Sequence, residues 1–131
     1  MTDLEYLQAR SHKHVKALSM FAKFEQHVRA ALSDELKCVS LADKEGDDFL
    51  EVHIAGRQFQ IVCSSKQVID DGGLLTCYPL DPFTHKVLWA CAHVEFDADA
   101  YVDKHDWMYS SVGAANVVAR LVAPGLRQPV N

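Results

Sequence analysis

Phe49-Leu50-Glu51-Val52-His53-Ile54-Ala55-Gly56-Arg57-Gln58-Phe59-Gln60-Ile61-Val62-Cys63 is the stretch that decides the fold. Leu50, Val52 and Ile54 alternate with Glu51 and His53, the period of a strand with one buried face. Phe59, Ile61 and Cys63 alternate with Gln58, Gln60 and Val62 in the same way. A two-residue turn at Gly56-Arg57, with glycine first as a type II′ turn prefers, pairs Ile54 with Phe59, Val52 with Ile61 and Leu50 with Cys63. Each core-facing residue then meets another apolar one. The other face carries Glu51, His53, Gln58 and Gln60.

Upstream, residues 11–36 read as an amphipathic helix. Leu18, Phe21, Val28 and Leu32 form its stripe, Phe24 and Ala31 widen it, and Ser11 is a candidate N-cap. Residues 1–9 either extend this helix or dock separately. A short strand at Cys38–Ala42 and an acidic loop at 43–48 lead into the hairpin.

Downstream come a strand segment at Lys66–Ile69, a turn at Asp71-Gly72-Gly73 and a strand at Leu74–Tyr78. Pro79 and Pro82 bound a loop, because neither supplies a ladder N–H. The longest expected strand is His85–Phe96, with apolar groups on both faces. An acidic, aromatic connection (97–109) precedes a helix that starts at Ser110 and stops before Pro124. Its content of β-branched residues and Gly113 means that burial, not propensity, must hold it.

Hairpin-length connections argue for antiparallel pairing, since parallel crossovers need a dozen or more residues. The expectation is an α+β fold: an antiparallel sheet of five to six strands with an N-terminal amphipathic helix and a C-terminal helix packed on it. The 131 residues form a single globular domain, with 1–10 and 125–131 as loose ends.

Composition narrows the function. The chain is 49% hydrophobic and 24% charged, with 13 basic and 18 acidic side chains, a net charge of −5. Clustered Lys and Arg are needed to displace counterions from a nucleic-acid backbone. The one basic cluster, Arg10, Lys13 and Lys16 with His12 and His14, is too small to offset that charge, so a nucleic-acid partner is disfavoured. No apolar run reaches the roughly 20 residues of a membrane span. The opening Met1-Thr2-Asp3-Leu4-Glu5 lacks a basic flank before an apolar core, so no secretory signal is expected and the cytoplasm is the expected location. None of Cys38, Cys63, Cys77 and Cys91 forms a C-x-x-C pair, and four reduced thiols are expected.

Catalytic and metal readings find little support. Asp97-x-Asp99-x-Tyr101-x-Asp103 invites comparison with a calcium loop, but Tyr101, Val102 and Met108 stand where that loop needs an oxygen ligand, glycine and glutamate. His12 and His14 are two apart, which separates them by about 200° on a helix. His53 and His93 converge only if their strands do. Cys63 faces the core while His53 faces away, so they are no nucleophile–base pair, and there is no phosphate-binding glycine loop. No catalytic residue, cofactor or metal is assigned.

Two surfaces remain as candidates. The first is the polar sheet face, Glu51, His53, Gln58 and Gln60, joined by Trp89, His93 and Glu95 if the long strand faces the same way. The second is the acidic, aromatic connection with Asp97, Asp99, Asp103 and Trp107. Hydrogen-bonding groups beside large aromatics suit an interface or a ligand site. The expected function is a non-catalytic protein-interaction module, such as an inhibitor or immunity-type protein, that binds a basic partner through an acidic, aromatic-bearing surface. The alternatives are a small-molecule binder or enzyme with a pocket between sheet and helices, and a homo-oligomer that pairs through a sheet edge.

Overall fold

The computed structural model describes residues 1–42, 48–66 and 71–128. A 29-residue helix, α1 (Asp3–Ala31), leads into seven strands and a closing helix, α2 (Ser111–Arg127). The strands are β1 (Ser40–Leu41), β2 (Phe49–Ile54), β3 (Arg57–Ser65), β4 (Gly72–Pro79), β5 (Ala92–Asp97), β6 (Tyr101–Val102) and β7 (Asp106–Trp107). They pair in sequence order as one antiparallel meander of seven strands, one or two more than expected. The additional strands, β6 and β7, are two residues each and lie in the connection that was expected to be irregular.

Side-chain alternation decides the faces as expected. Leu50, Val52, Phe59, Ile61, Cys63, Leu75, Cys77, Val94 and Phe96 are buried in one core with Phe21, Phe24 and Val28 of α1 and Val117, Val118 and Leu121 of α2. Ile54, at the hairpin tip, is only partly buried. The register differs from the expected one. Val52 pairs with Phe59, Leu50 with Ile61 and Ile54 with Arg57, a shift of two residues. Ala55 and Gly56 both take positive φ, 53° and 74°, so the turn is type I′ and centres one residue earlier. A two-residue shift preserves the faces, because the side-chain period is two.

Helix α1 begins at Thr2, not Ser11. The Thr2 hydroxyl accepts the Glu5 N–H at 3.1 Å, and Asp3 and Glu5 favour the positive end of the helix dipole. Its first buried residue is Ala17, so the preceding turns run beyond the core. Helix α2 is capped by Ser110, whose hydroxyl accepts the Gly113 N–H at 3.0 Å. A Cβ at Gly113 would lie 1.9 Å from the Trp107 carbonyl oxygen. The helix does not stop before Pro124 but carries it inside the last turns. The carbonyl that loses its intrahelical donor to the proline belongs to Arg120, an exposed residue.

The expected strand His85–Phe96 is a strand only from Ala92. Its first half forms a ledge, described below. The expected acidic loop lies, apart from Asp48, outside the described residues, as does 67–69 of the expected Lys66–Ile69 segment. All four cysteines are free thiols. No described helix is long and apolar enough to cross a membrane.

Candidate functional site

The outward side chains of the central strands make one patch. Glu51 sits opposite Gln60 and His53 opposite Gln58, while Gln60 also neighbours Tyr78, and Thr76 neighbours His93. His53 Nε2 lies 2.8 Å from a Glu51 carboxylate oxygen, an i,i+2 contact that only a strand face allows. The structure thus brings Glu51, His53, Gln58 and Gln60 together, with His93 two strands away on the same side.

Trp89 borders this patch on the ledge formed by residues 80–91. Pro79 ends β4, and the Asp81 carboxylate then accepts the N–H groups of Phe83 at 2.8 Å and Thr84 at 2.9 Å. Those N–H groups, Thr84 foremost, hold the Asp81 carboxyl below its ordinary pKa. A bridge joins Leu80 to Val87, and the Leu88 N–H donates to the Pro79 carbonyl at 2.9 Å. The next tie to β4 runs from the Cys91 N–H to the Cys77 carbonyl, also 2.9 Å. Beyond it Ala92 pairs with Cys77, so Trp89, Ala90 and Cys91 span the single residue Tyr78, and the two extra residues bulge outward. This bulge is the physical reason the alternation at 85–91 does not make a continuous strand. His85 Nδ1 lies 3.0 Å from Gln58 Oε1, which ties the ledge to the polar patch.

The ledge displays its apolar groups. Trp89 is 94% exposed and Phe83 is 87% exposed. Neither helix covers Trp89. With Tyr78, Val87, Leu88 and Ala90 it lines an open depression of about 550 Å³. Scattered single apolar residues are ordinary on a protein surface, but a depression lined by Trp89 and Tyr78 with Val87 and Leu88 is not. Phe83 and Tyr78 were not among the residues expected from sequence. The signal was present in Asp81 two residues before Phe83, the pattern of a side chain that caps its own turn.

The acidic residues occupy a separate end of the sheet. Asp97 lies four residues beyond His93, about 13 Å along the strand. Its carboxylate accepts the N–H groups of Asp99 at 2.9 Å and Tyr101 at 3.0 Å. Asp103 pairs with Arg120, and Asp106 lies 3.6 Å from the same guanidinium. Trp107 stacks on Tyr101 with ring centroids 6.3 Å apart and tilts against Tyr109 at 6.1 Å. Tyr109 in turn stacks on His27, and Lys23 stands over its ring. Burial pushes the Tyr109 phenol up. Between these outward rings Met108 is fully buried and plugs the end of the core. Asp97, Asp99, Asp103 and Trp107 are thus gathered together, while two of the aspartates also hold local structure.

The Cys63 and Cys77 thiols face inward. Burial, followed by the charge of Asp48, pushes the Cys63 thiol up to about 12, and its sulfur lies 3.7 Å from the Ala17 carbonyl oxygen. A thiol of that pKa is almost wholly protonated near neutral pH and a poor nucleophile. Among the described residues no three His, Cys, Asp or Glu side chains converge as a metal site needs. No family model matches the chain, and no curated protein or solved structure matches it either.

Proposed function

We propose that the protein is a non-catalytic interaction module that seats a protein partner on the Trp89 ledge and the adjoining polar sheet face. The observation that carries this reading is the pair of aromatics, Trp89 and Phe83, held outward by a backbone that is itself hydrogen-bonded in place. Ordered, desolvatable aromatics are what interface hot spots are made of, because they add contact area at little entropic cost. Gln58, Gln60, His53 and Glu51 beside them supply a polar rim.

The partner is basic on this reading. The net charge of −5 and the aspartates at 97, 99, 103 and 106 steer a cationic protein toward the molecule. A ligand within the core, where the sheet meets both helices, would have to displace Phe21, Phe24, Phe59 and Leu121, all fully buried, which counts against a pocket at that place.

The test is affinity capture with wild type and with Trp89→Ala/Phe83→Ala, followed by calorimetry on the purified partner. The expected result is one stoichiometric basic protein, bound by wild type and weakened by about 2 kcal/mol or more in the variant. Undiminished binding by a folded double variant would overturn the reading.

A further inference from the structure

A second concave site lies at the opposite end of β3 from the hairpin tip, under the part of α1 that runs beyond the core. It is a cleft of about 510 Å³ lined by Arg10 and His14 of α1, Ser64, Ser65 and Lys66 after β3, Leu74 of β4 and Glu95 of β5. In a chain of net charge −5 its lining is cationic. Arg10 and Lys66 are permanently charged, His14 adds a third basic group, and Glu95 is the one carboxylate among the lining residues.

Among the described residues, the donors of this cleft outnumber its acceptors. The Arg10 guanidinium reaches from the helix to the Lys66 carbonyl and to Ser65 Oγ, the latter at 3.2 Å. Those two bonds fix the plane of the fork, and among the described residues they engage two of its five N–H groups. The Lys66 side chain is only 13% exposed, yet its ammonium stands 3.9 Å from the Glu95 carboxylate, beyond hydrogen-bond reach. Burying an ammonium is costly unless acceptors satisfy its protons. Donors thus converge from the helix wall and from the sheet floor, with the Ser64 hydroxyl beside them and Leu74 supplying an apolar surface.

We infer that this cleft binds the phosphomonoester group of a small soluble molecule. A tetrahedral dianion matches two fixed cations and hydroxyls arrayed around it, whereas a planar carboxylate would leave donors on one side unused. The cleft volume is in the range of small-molecule sites and exceeds that of a free ion, so the ligand carries a body beyond its phosphate. This site is independent of the Trp89 ledge and stands or falls without it.

The experiment is an amide NMR titration at constant ionic strength with inorganic phosphate, glycerol 3-phosphate and, as control, chloride. Saturable shifts confined to Arg10, His14, Ser64–Lys66, Leu74 and Glu95 are expected with both phosphates and not with chloride. Lys66→Gln should weaken glycerol 3-phosphate binding about tenfold, the value of one lost charge-assisted hydrogen bond. Glu95→Gln should strengthen it, because the competing carboxylate is gone; a folded Glu95→Gln variant with unchanged or weaker affinity overturns the assignment. Shifts that follow chloride equally, or do not saturate, also overturn it. Flotation with phosphatidic acid vesicles separates the sources: vesicle binding that glycerol 3-phosphate fails to displace would make the ligand a lipid headgroup and overturn the small-molecule assignment.

Discussion

Arg57 Nη1 donates a hydrogen bond of 2.9 Å to the Gly125 carbonyl oxygen, so the tip of the first hairpin caps the C-terminal turn of the last helix. The same guanidinium lies over the Phe59 ring, 5.4 Å from its centroid. A helix end leaves carbonyls without intrahelical partners, and Arg57 satisfies one of them with a charge. Gly125 permits the approach. A Cβ there would stand 2.6 Å from the Phe59 ring and 3.0 Å from Cys91 Sγ. Arg57→Met should therefore cost about 1–3 kcal/mol in urea unfolding, the range for a lost charge-assisted hydrogen bond. A midpoint equal to wild type would show the cap to be energetically idle.

The two faces of β3 should respond differently to truncation. Ile61 is fully buried opposite Leu50, and Ile61→Ala should cost about 2–5 kcal/mol. Gln60 is its outward neighbour, and Gln60→Ala should stay within about half a kcal/mol. Equal losses in chemical denaturation would contradict the assigned faces.

Thiol reactivity should sort by burial. Cys38 is exposed and should react first with an alkylating reagent at pH 8, whereas Cys63 and Cys77 should react only on unfolding. Cys63 carries a stability consequence as well. Its pKa is raised from 9.0 to about 12 on folding, so the native state keeps a proton that the unfolded chain releases. The contribution is complete below about pH 9 and is lost as pH rises toward 12. Cys63→Ala should flatten the alkaline limb of a stability–pH curve relative to wild type. Parallel limbs would refute the shift.

Steering and anchoring are separable in kinetics. Asp99→Lys removes an exposed charge whose carboxylate holds no described hydrogen bond, unlike Asp97 and Asp103, and should lower the association rate without changing the melting temperature. Rising salt should slow association of the wild type, because exposed charges are screened beyond about 8 Å at physiological ionic strength. Trp89→Ala should act on dissociation instead. Stopped-flow rates that ignore both salt and Asp99→Lys would remove the case for a basic partner.

Hairpin faces, the core stripe of α1 around Phe21, Phe24 and Val28, and the antiparallel class were determined by the sequence alone, because each follows from a local period. Leu50, Val52, Phe59 and Ile61 share a face in any register shifted by an even number of residues, so alternation settles burial and leaves pairing open. The register was settled by Ala55, which takes a positive φ that sequence rules reserve mainly for Gly, Asn and Asp. Thr2 followed by Glu5 has the spacing of a capping box, a local signal for the helix start that was missed in favour of Ser11. Pro124 reads as a stop, yet packing of Gly125 on Phe59 and the Arg57 cap carry α2 past it. Of the candidate site, the polar quartet on β2 and β3 was legible because strand parity places it. The outward bulge of Trp89, the gathering of Trp107 with Tyr101 and Tyr109, and the cleft joining Arg10 to Lys66 were decided by tertiary structure. The cleft rests on a contact between residues 56 apart and the other two on turns and strand pairing, and no local period encodes any of them.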